Sequence, residues 1–187
     1  MQGRLIYLMG PSGAGKDSVL RYARARLEVH CNLAVAHRYV TRPADAGHEN
    51  FVSLSDAEFD LRLQKKLFLL DWKAHGRRYA VGAEIELWRA AGLAVVVSGS
   101  REHFQHTMGG FPGILPILID AAPETIRQRL LARNREPMRE IGERLERGAA
   151  IRVEHPALIT IDNSGAIEIA GDRFLAACAE AALANWR

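Results

Sequence analysis

The stretch Gly10-Pro11-Ser12-Gly13-Ala14-Gly15-Lys16-Asp17 follows directly on the apolar run Leu5-Ile6-Tyr7-Leu8-Met9. That order reads as strand, glycine-rich loop, helix. Gly10, Gly13 and Gly15 let the backbone turn tightly and aim its N–H groups inward at a chain of phosphates. The helix behind them adds the positive end of its dipole. Lys16 is spaced to reach the β- and γ-phosphates of a nucleotide as a mobile point charge. Pro11, Ser12, Ala14 and Ser18 complete the expected wrapping segment. The pattern G-x-x-x-x-G-K-[ST] fits everywhere but at its last letter, where Asp17 replaces a hydroxyl. A glycine turn without a ligand is the bland alternative. The flanking strand and helix patterns argue against it.

The chain has 187 residues, 48% of them hydrophobic and 25% charged, which suits one soluble domain over residues 1–187 with a full core. The net charge of +3 is mild and fits an anionic small molecule as well as a nucleic acid. Cys31 and Cys178 have no metal-like or redox-like spacing. The sequence moves straight into its first apolar run, so no signal peptide is expected, and no run approaches a membrane span. A cytoplasmic location is expected, with neither a membrane nor a nucleic acid as partner.

Outward from the loop, apolar runs at 4–9, 93–97, 114–119 and 158–161 read as strands, and residues 33–40 are a further strand candidate. Helices are expected from Asp17 to Leu27, from Ser55 to about Lys66 behind the capping box Ser55-Asp56-Ala57-Glu58, and from about Gly82 to Ala91. Others should run from Pro123 to about Ala132, from near Pro137, and from Ile167 to Ala184. Residues 41–53 read as an irregular polar segment, and Phe68–Lys73 with Arg78–Val81 as short strands around a His75-Gly76 turn. Alternating strands and helices predict an α/β domain with a mostly parallel sheet, its ligand at the C-terminal strand ends.

Gly10–Asp17, Thr41-Arg42-Pro43, Phe51-Val52-Ser53 and the arginine-dense stretch Arg129–Leu145 together resemble the guanylate kinase-like family of P-loop kinases. Within that family, Ala36–Arg42, Tyr79–Trp88 and Val95–Arg101 are most similar to the ribose 1,5-bisphosphate phosphokinases. The resemblance covers at least residues 4–163. It implies a P-loop NTPase fold in which helices flank a parallel sheet. It also implies an acceptor-binding insert at about 34–82 and a lid at about 133–147. The implied reaction moves a phosphoryl group from ATP, with Mg2+, to ribose 1,5-bisphosphate. The product is 5-phospho-α-D-ribose 1-diphosphate, a step of phosphonate breakdown.

The same comparison implies roles for single residues. Arg42 would hold the acceptor phosphate, joined by Glu49 and Tyr79, and Arg133 and Arg144 would close over the transferring group together with Lys16. The chemistry agrees, because phosphoryl transfer asks for positioning and cations more than for covalent help. An acceptor that is already a phosphate needs no strong base, so the histidines are expected at the surface or in packing. Most arginines between Arg127 and Arg147 could simply coat solvated helix faces. Arg42 could pair with Asp45 or Glu49 instead, and Arg101 could meet a phosphate or serve packing.

The chain also departs from the guanylate kinase pattern. Ala44-Asp45-Ala46 stands where a second arginine is usual, and Ser98-Gly99-Ser100 where an acidic residue is usual. Asp17 is therefore expected to take over part of the magnesium shell. The alternatives are a guanylate or other nucleoside monophosphate kinase, and a non-catalytic interaction module of the same fold.

Overall fold

The computed structural model describes residues 2–28, 32–43, 50–74, 76–108, 111–132, 142, 148 and 150–183. Its centre is strand β1 (Leu5–Met9), five apolar residues all buried. Such a run serves a strand covered on both faces, and the side chains divide by period two. Ile6 and Leu8 enter one core with Val96, Ile117 and Phe174, whereas Leu5, Tyr7 and Met9 enter another with Val95, Val97 and Phe104. Strands β2 (Leu33–Val35), β7 (Ala94–Ser98), β8 (Leu115–Asp120) and β9 (Ile159–Asp162) complete a parallel sheet in the order β2-β7-β1-β8-β9. Because β1 lies between β7 and β8, its C-terminal end opens at the switch in strand order, where α/β sheets bind ligands.

Helix α1 (Lys16–Arg24) and the last helix, α6 (Ile167–Leu183), pack on the first core. Their contact is tight at Gly171, against the ring of Tyr22, whose hydroxyl donates to Asp172 Oδ1 at 2.7 Å. Helix α5 (Pro123–Ala132) lays Ile126 and Leu130 over the glycine-rich loop. Its first residue is a proline, as expected of a helix start. No helix among the described residues is long and apolar enough to cross a membrane.

A second sheet rises beside the first. It is made of β3 (Arg38–Val40), β4 (Phe51–Ser53), β5 (Phe68–Ala74) and β6 (Arg77–Gly82) in the order β4-β3-β6-β5. Helix α2 (Asp56–Gln64) starts at Ser55, whose side chain accepts from the Glu58 N–H at 3.1 Å, the expected cap. Phe59 on this helix packs with Leu54, Ala80, Tyr39 and Phe68 on one face of the sheet. Helix α3 (Glu84–Ala90) returns the chain to the parallel sheet.

Two expectations are corrected here. The single strand expected over 33–40 is two strands in two sheets. The Ala36 N–H makes the last tie to the parallel sheet, to the Val96 carbonyl at 2.9 Å, and the Arg38 N–H then bonds the Asn50 carbonyl at 3.2 Å. The local pattern, apolar over Leu33–Ala36 and again at Tyr39-Val40 around His37-Arg38, does not show which strand accepts the hydrogen bonds on either side of Ala36. The segment 41–53, expected to be irregular throughout, ends in β4, which pairs in parallel with β3. Glu49, Arg133, Arg144 and the helix expected near Pro137 lie outside the described residues.

The sheets are joined through a short helix, α4 (Arg101–His103), which runs into a π-helical turn at Phe104–Met108. The buried Tyr7 hydroxyl lies 2.8 Å from His103 Nδ1 and donates to the Ser100 carbonyl at 3.2 Å. Trp72 of β5 stacks on the His103 ring with centroids 5.0 Å apart. Burial pushes the Tyr7 phenol up and holds the His103 imidazole below its usual 6.5, with Asp71 opposing weakly. Folded His103 therefore takes a proton less readily than it does in the unfolded chain, and the associated stability is lost as pH falls from about 6.5 through the lower folded value. Urea unfolding from about pH 7.5 down to about pH 5.5 should show a steeper loss in the wild type than in His103→Gln. Parallel curves would count against this.

Candidate active site

The glycine-rich loop is held from behind. Gly15, at φ 92°, caps α1, and a Cβ there would lie 2.3 Å from Asn163 Nδ2. Both the backbone angle and the space therefore call for glycine. The same Asn163 amide donates to the Ala14 carbonyl at 2.7 Å, with Arg129 Nη1 more distant at 3.4 Å. Asn163 is itself fixed by its N–H to the Asp120 carbonyl at 2.7 Å, and it is 2% exposed. Its Oδ1 has no hydrogen-bond partner among the described residues. Lys16 Nζ donates to the carbonyls of Gly10 at 2.8 Å and Pro11 at 3.4 Å, so the cation lies along the loop it belongs to. Pro11, Gly13 and Ala14 are buried, while Ser12, Asp17 and Ser18 are half-buried.

In front of the loop lies a cleft of about 310 Å³. Gly10, Pro11, Ser12 and Lys16 form one wall, and residues 99–102 at the end of β7 form another. Gly99 lets that end pass over Tyr7: a Cβ would meet the hydroxyl at 1.9 Å. The third wall is the second sheet, through Arg38, Trp72, Ala74 and Tyr79. These four belong to one face, since β3 pairs Val40 with Tyr79 and β5 pairs Trp72 with Tyr79. Arg38 and Ala74 lie two residues from Val40 and Trp72, which returns them to the same side. Trp72 and Tyr79 stack with centroids 5.5 Å apart and planes within 10°. One face of the sheet thus packs on α2, and the other presents an arginine and two rings to the cleft.

Asp17 faces this wall across the loop end. Its Oδ1 pairs with Arg38 Nη2 at 3.2 Å. Beside the pair is a smaller pocket, which Asp17 and Arg38 share with Arg21, Arg24, Asn50 and Ser98. Ser98 Oγ is buried and has no partner among the described residues. No group of three or more His, Cys, Asp or Glu that could hold a metal occurs among the described residues.

The structure therefore gathers Gly10, Pro11, Ser12, Lys16 and Tyr79 on the cleft, with Asp17 at its edge. Arg42 is not among the cleft-lining residues, and its guanidinium lies over the Phe51 ring at 4.1 Å. Arg101 lines the cleft, but its Nη1 donates to the carbonyls of Gly148 at 2.7 Å and Ile151 at 3.0 Å. Arg38, Trp72 and Asn163 carry no role in the sequence reading, whereas His103 is packed, as expected of the histidines. Arg38 and Trp72 share a face only once strand pairing is known, and Asn163 reaches Ala14 across 149 positions. Asn163→Ala should leave a buried carbonyl short of its donor and cost about 1–3 kcal/mol. We expect a lower urea midpoint and weaker nucleotide binding by calorimetry. Unchanged values in both would remove Asn163 from the loop's support.

No family model matches the chain. Among curated proteins, it is 51% identical over 162 residues to a protein of Desulfomicrobium baculatum, covering 87% of each chain. It is 50% identical over 169 residues to one of Burkholderia pseudomallei, covering 90% of this chain and 91% of the relative. It is 42% identical over 174 residues to one of Thiobacillus denitrificans, covering 93% and 92%. All three are named ribose 1,5-bisphosphate phosphokinase PhnN. Among solved structures, a guanylate kinase from Anaplasma phagocytophilum superposes with a TM-score of 0.67 at 16% identity, covering 98% of this chain and 88% of that one. A sugar kinase from Janibacter sp. HTCC2649 superposes with a TM-score of 0.52 at 20% identity, covering 98% and 99%. The two structures establish the shared fold. The chain belongs to the ribose 1,5-bisphosphate phosphokinase family, built on the guanylate kinase-like fold of P-loop kinases.

Proposed function

We propose that the chain transfers the γ-phosphoryl group of ATP to the 1-phosphate of ribose 1,5-bisphosphate. A non-bridging oxygen of the 1-phosphate bonds to the γ-phosphorus. The bond from that phosphorus to the β,γ-bridging oxygen breaks, and ADP leaves with the electron pair. The products are ADP and 5-phospho-α-D-ribose 1-diphosphate, in the cytoplasmic breakdown of phosphonates. The observation that carries this reading is the family relationship, together with a glycine-rich loop and Lys16 that open on a cleft walled by Arg38, Trp72 and Tyr79.

In this reading, residues 10–18 wrap the ATP phosphates with backbone N–H groups, and Lys16 follows the transferring group. Tyr79, Arg42 and Glu49 hold the acceptor, within an insert at about 34–82. Arg133 and Arg144 close as a lid at about 133–147 and spread the developing charge. The acceptor oxygen is ionised near neutral pH, so the positioned cations do the work and no histidine base enters. Magnesium takes few protein ligands beside ATP phosphates, and Asp17 at the loop end would supply a carboxylate to it in exchange for its pairing with Arg38; the metal would neutralise the phosphate oxygens.

A coupled assay for the diphosphate product should respond to ATP with ribose 1,5-bisphosphate and not to GMP as acceptor. Phosphorylation of GMP alone would instead favour a nucleoside monophosphate kinase. Lys16→Ala should lower kcat by about 10²–10³, whereas a non-catalytic module would have no turnover to lose. Asp17→Asn should raise the magnesium concentration needed for half-maximal rate. An unaltered magnesium profile and turnover would take Asp17 out of the metal's shell.

A further inference from the structure

We infer that Trp72 is a positioning residue for the acceptor: stacked on both His103 and Tyr79, it holds the Tyr79 ring in the cleft wall and so sets the affinity for ribose 1,5-bisphosphate, a role that rests on the function proposed above.

Strand order is what gives Trp72 this place. In the order β4-β3-β6-β5, β5 is an edge strand, and within that sheet its backbone pairs with β6 alone. Trp72 lies directly across from Tyr79 in this antiparallel pair, so both rings leave the sheet on the same face. Their planes lie within 10° and their centroids 5.5 Å apart, inside the range of favourable aromatic pairs. Trp72 also stacks on the His103 ring, with centroids 5.0 Å apart and planes within 22°. His103 is buried and lies 2.8 Å from the Tyr7 hydroxyl. A line of rings therefore runs from the central strand of the parallel sheet, through Trp72, to Tyr79 at the cleft.

Tyr79 depends on that line. Its hydroxyl makes no hydrogen bond among the described residues, so nothing ties the far end of the side chain. Trp72 is the aromatic partner that the Tyr79 ring has among them. A half-buried ring without a tied hydroxyl samples more than one rotamer unless a neighbour selects one. If only a fraction of the molecules present Tyr79 to the acceptor, the apparent affinity falls by that fraction. The nucleotide side is held by other ties, Lys16 Nζ to the Gly10 carbonyl and the Asn163 amide to the Ala14 carbonyl. Loss of the stack is thus felt on the acceptor side.

The test measures initial rates with each substrate varied at saturating levels of the other. Trp72→Leu should raise KM for ribose 1,5-bisphosphate by about 3- to 10-fold, the size of a lost aromatic pair, and leave KM for ATP unchanged. Trp72→Phe keeps a ring across from Tyr79 and should restore most of the acceptor affinity. Tyr79→Ala should raise the acceptor KM as well, and adding Trp72→Leu to it should change little further, because a residue that acts through another is not additive with it. His103→Gln removes the other ring on Trp72 and supplies the same KM comparison should the leucine variant not fold. A phenylalanine variant as impaired as the leucine one would assign the effect to the indole N–H and overturn the inference. Full additivity with Tyr79→Ala, equal rises in both KM values, or an unchanged acceptor KM in an active Trp72→Leu enzyme would overturn it too. A wild-type chain that makes no diphosphate from ribose 1,5-bisphosphate would overturn the proposed function, and the inference with it.

Discussion

The geometry of the cleft hangs on a hydroxyl inside the central strand. Tyr7 is fully buried, and a buried phenol must find partners or lose the worth of its hydration. It finds them in the His103 ring and the Ser100 carbonyl. That choice fixes α4, and with it the segment from Gly99 to Glu102 that forms one wall of the cleft. The His103 ring then carries Trp72, and Trp72 carries Tyr79. Apolar packing of Leu70, Val81 and Ile85 against Met9 and Val97 supplies the mass of the junction between the sheets. The hydroxyl and the ring stack supply its registration.

Opposite this junction, the phosphate loop is shaped by one amide. Asn163 reaches from the turn after β9 to the Ala14 carbonyl and lies where a side chain on Gly15 would have to go. The loop is therefore held in place from behind, and its N–H groups need not be ordered at the expense of binding energy. The same amide explains why the last strand of the sheet matters to a site built at the first.

The charge pattern is what distinguishes this cleft. A carboxylate stands at the end of the phosphate loop, where a hydroxyl is the common choice, and an arginine from the neighbouring sheet meets it. Each compensates the other across the gap between the glycine-rich loop and the second sheet.

Much of this was written along the chain. Leu5–Met9 with its glycines and lysine announced a strand, a phosphate loop and a helix, because period, turn chemistry and spacing are local properties. The capping box at Ser55 and the proline start of α5 were legible for the same reason. Long-range pairing was not. Residues 33–40 read as one strand candidate yet serve two sheets, since residue type records burial and not which strand accepts the hydrogen bonds. Arg38 and Trp72 became neighbours of the cleft only through the register of β3, β5 and β6. Asn163 became part of the loop only because β9 lies beside β8. The sequence by itself determined the fold class, the phosphate loop and the family, all of which rest on short-range spacing. Tertiary structure alone decided which arginine of the second sheet lines the cleft and what holds the loop, because both depend on strand order and register across the whole domain.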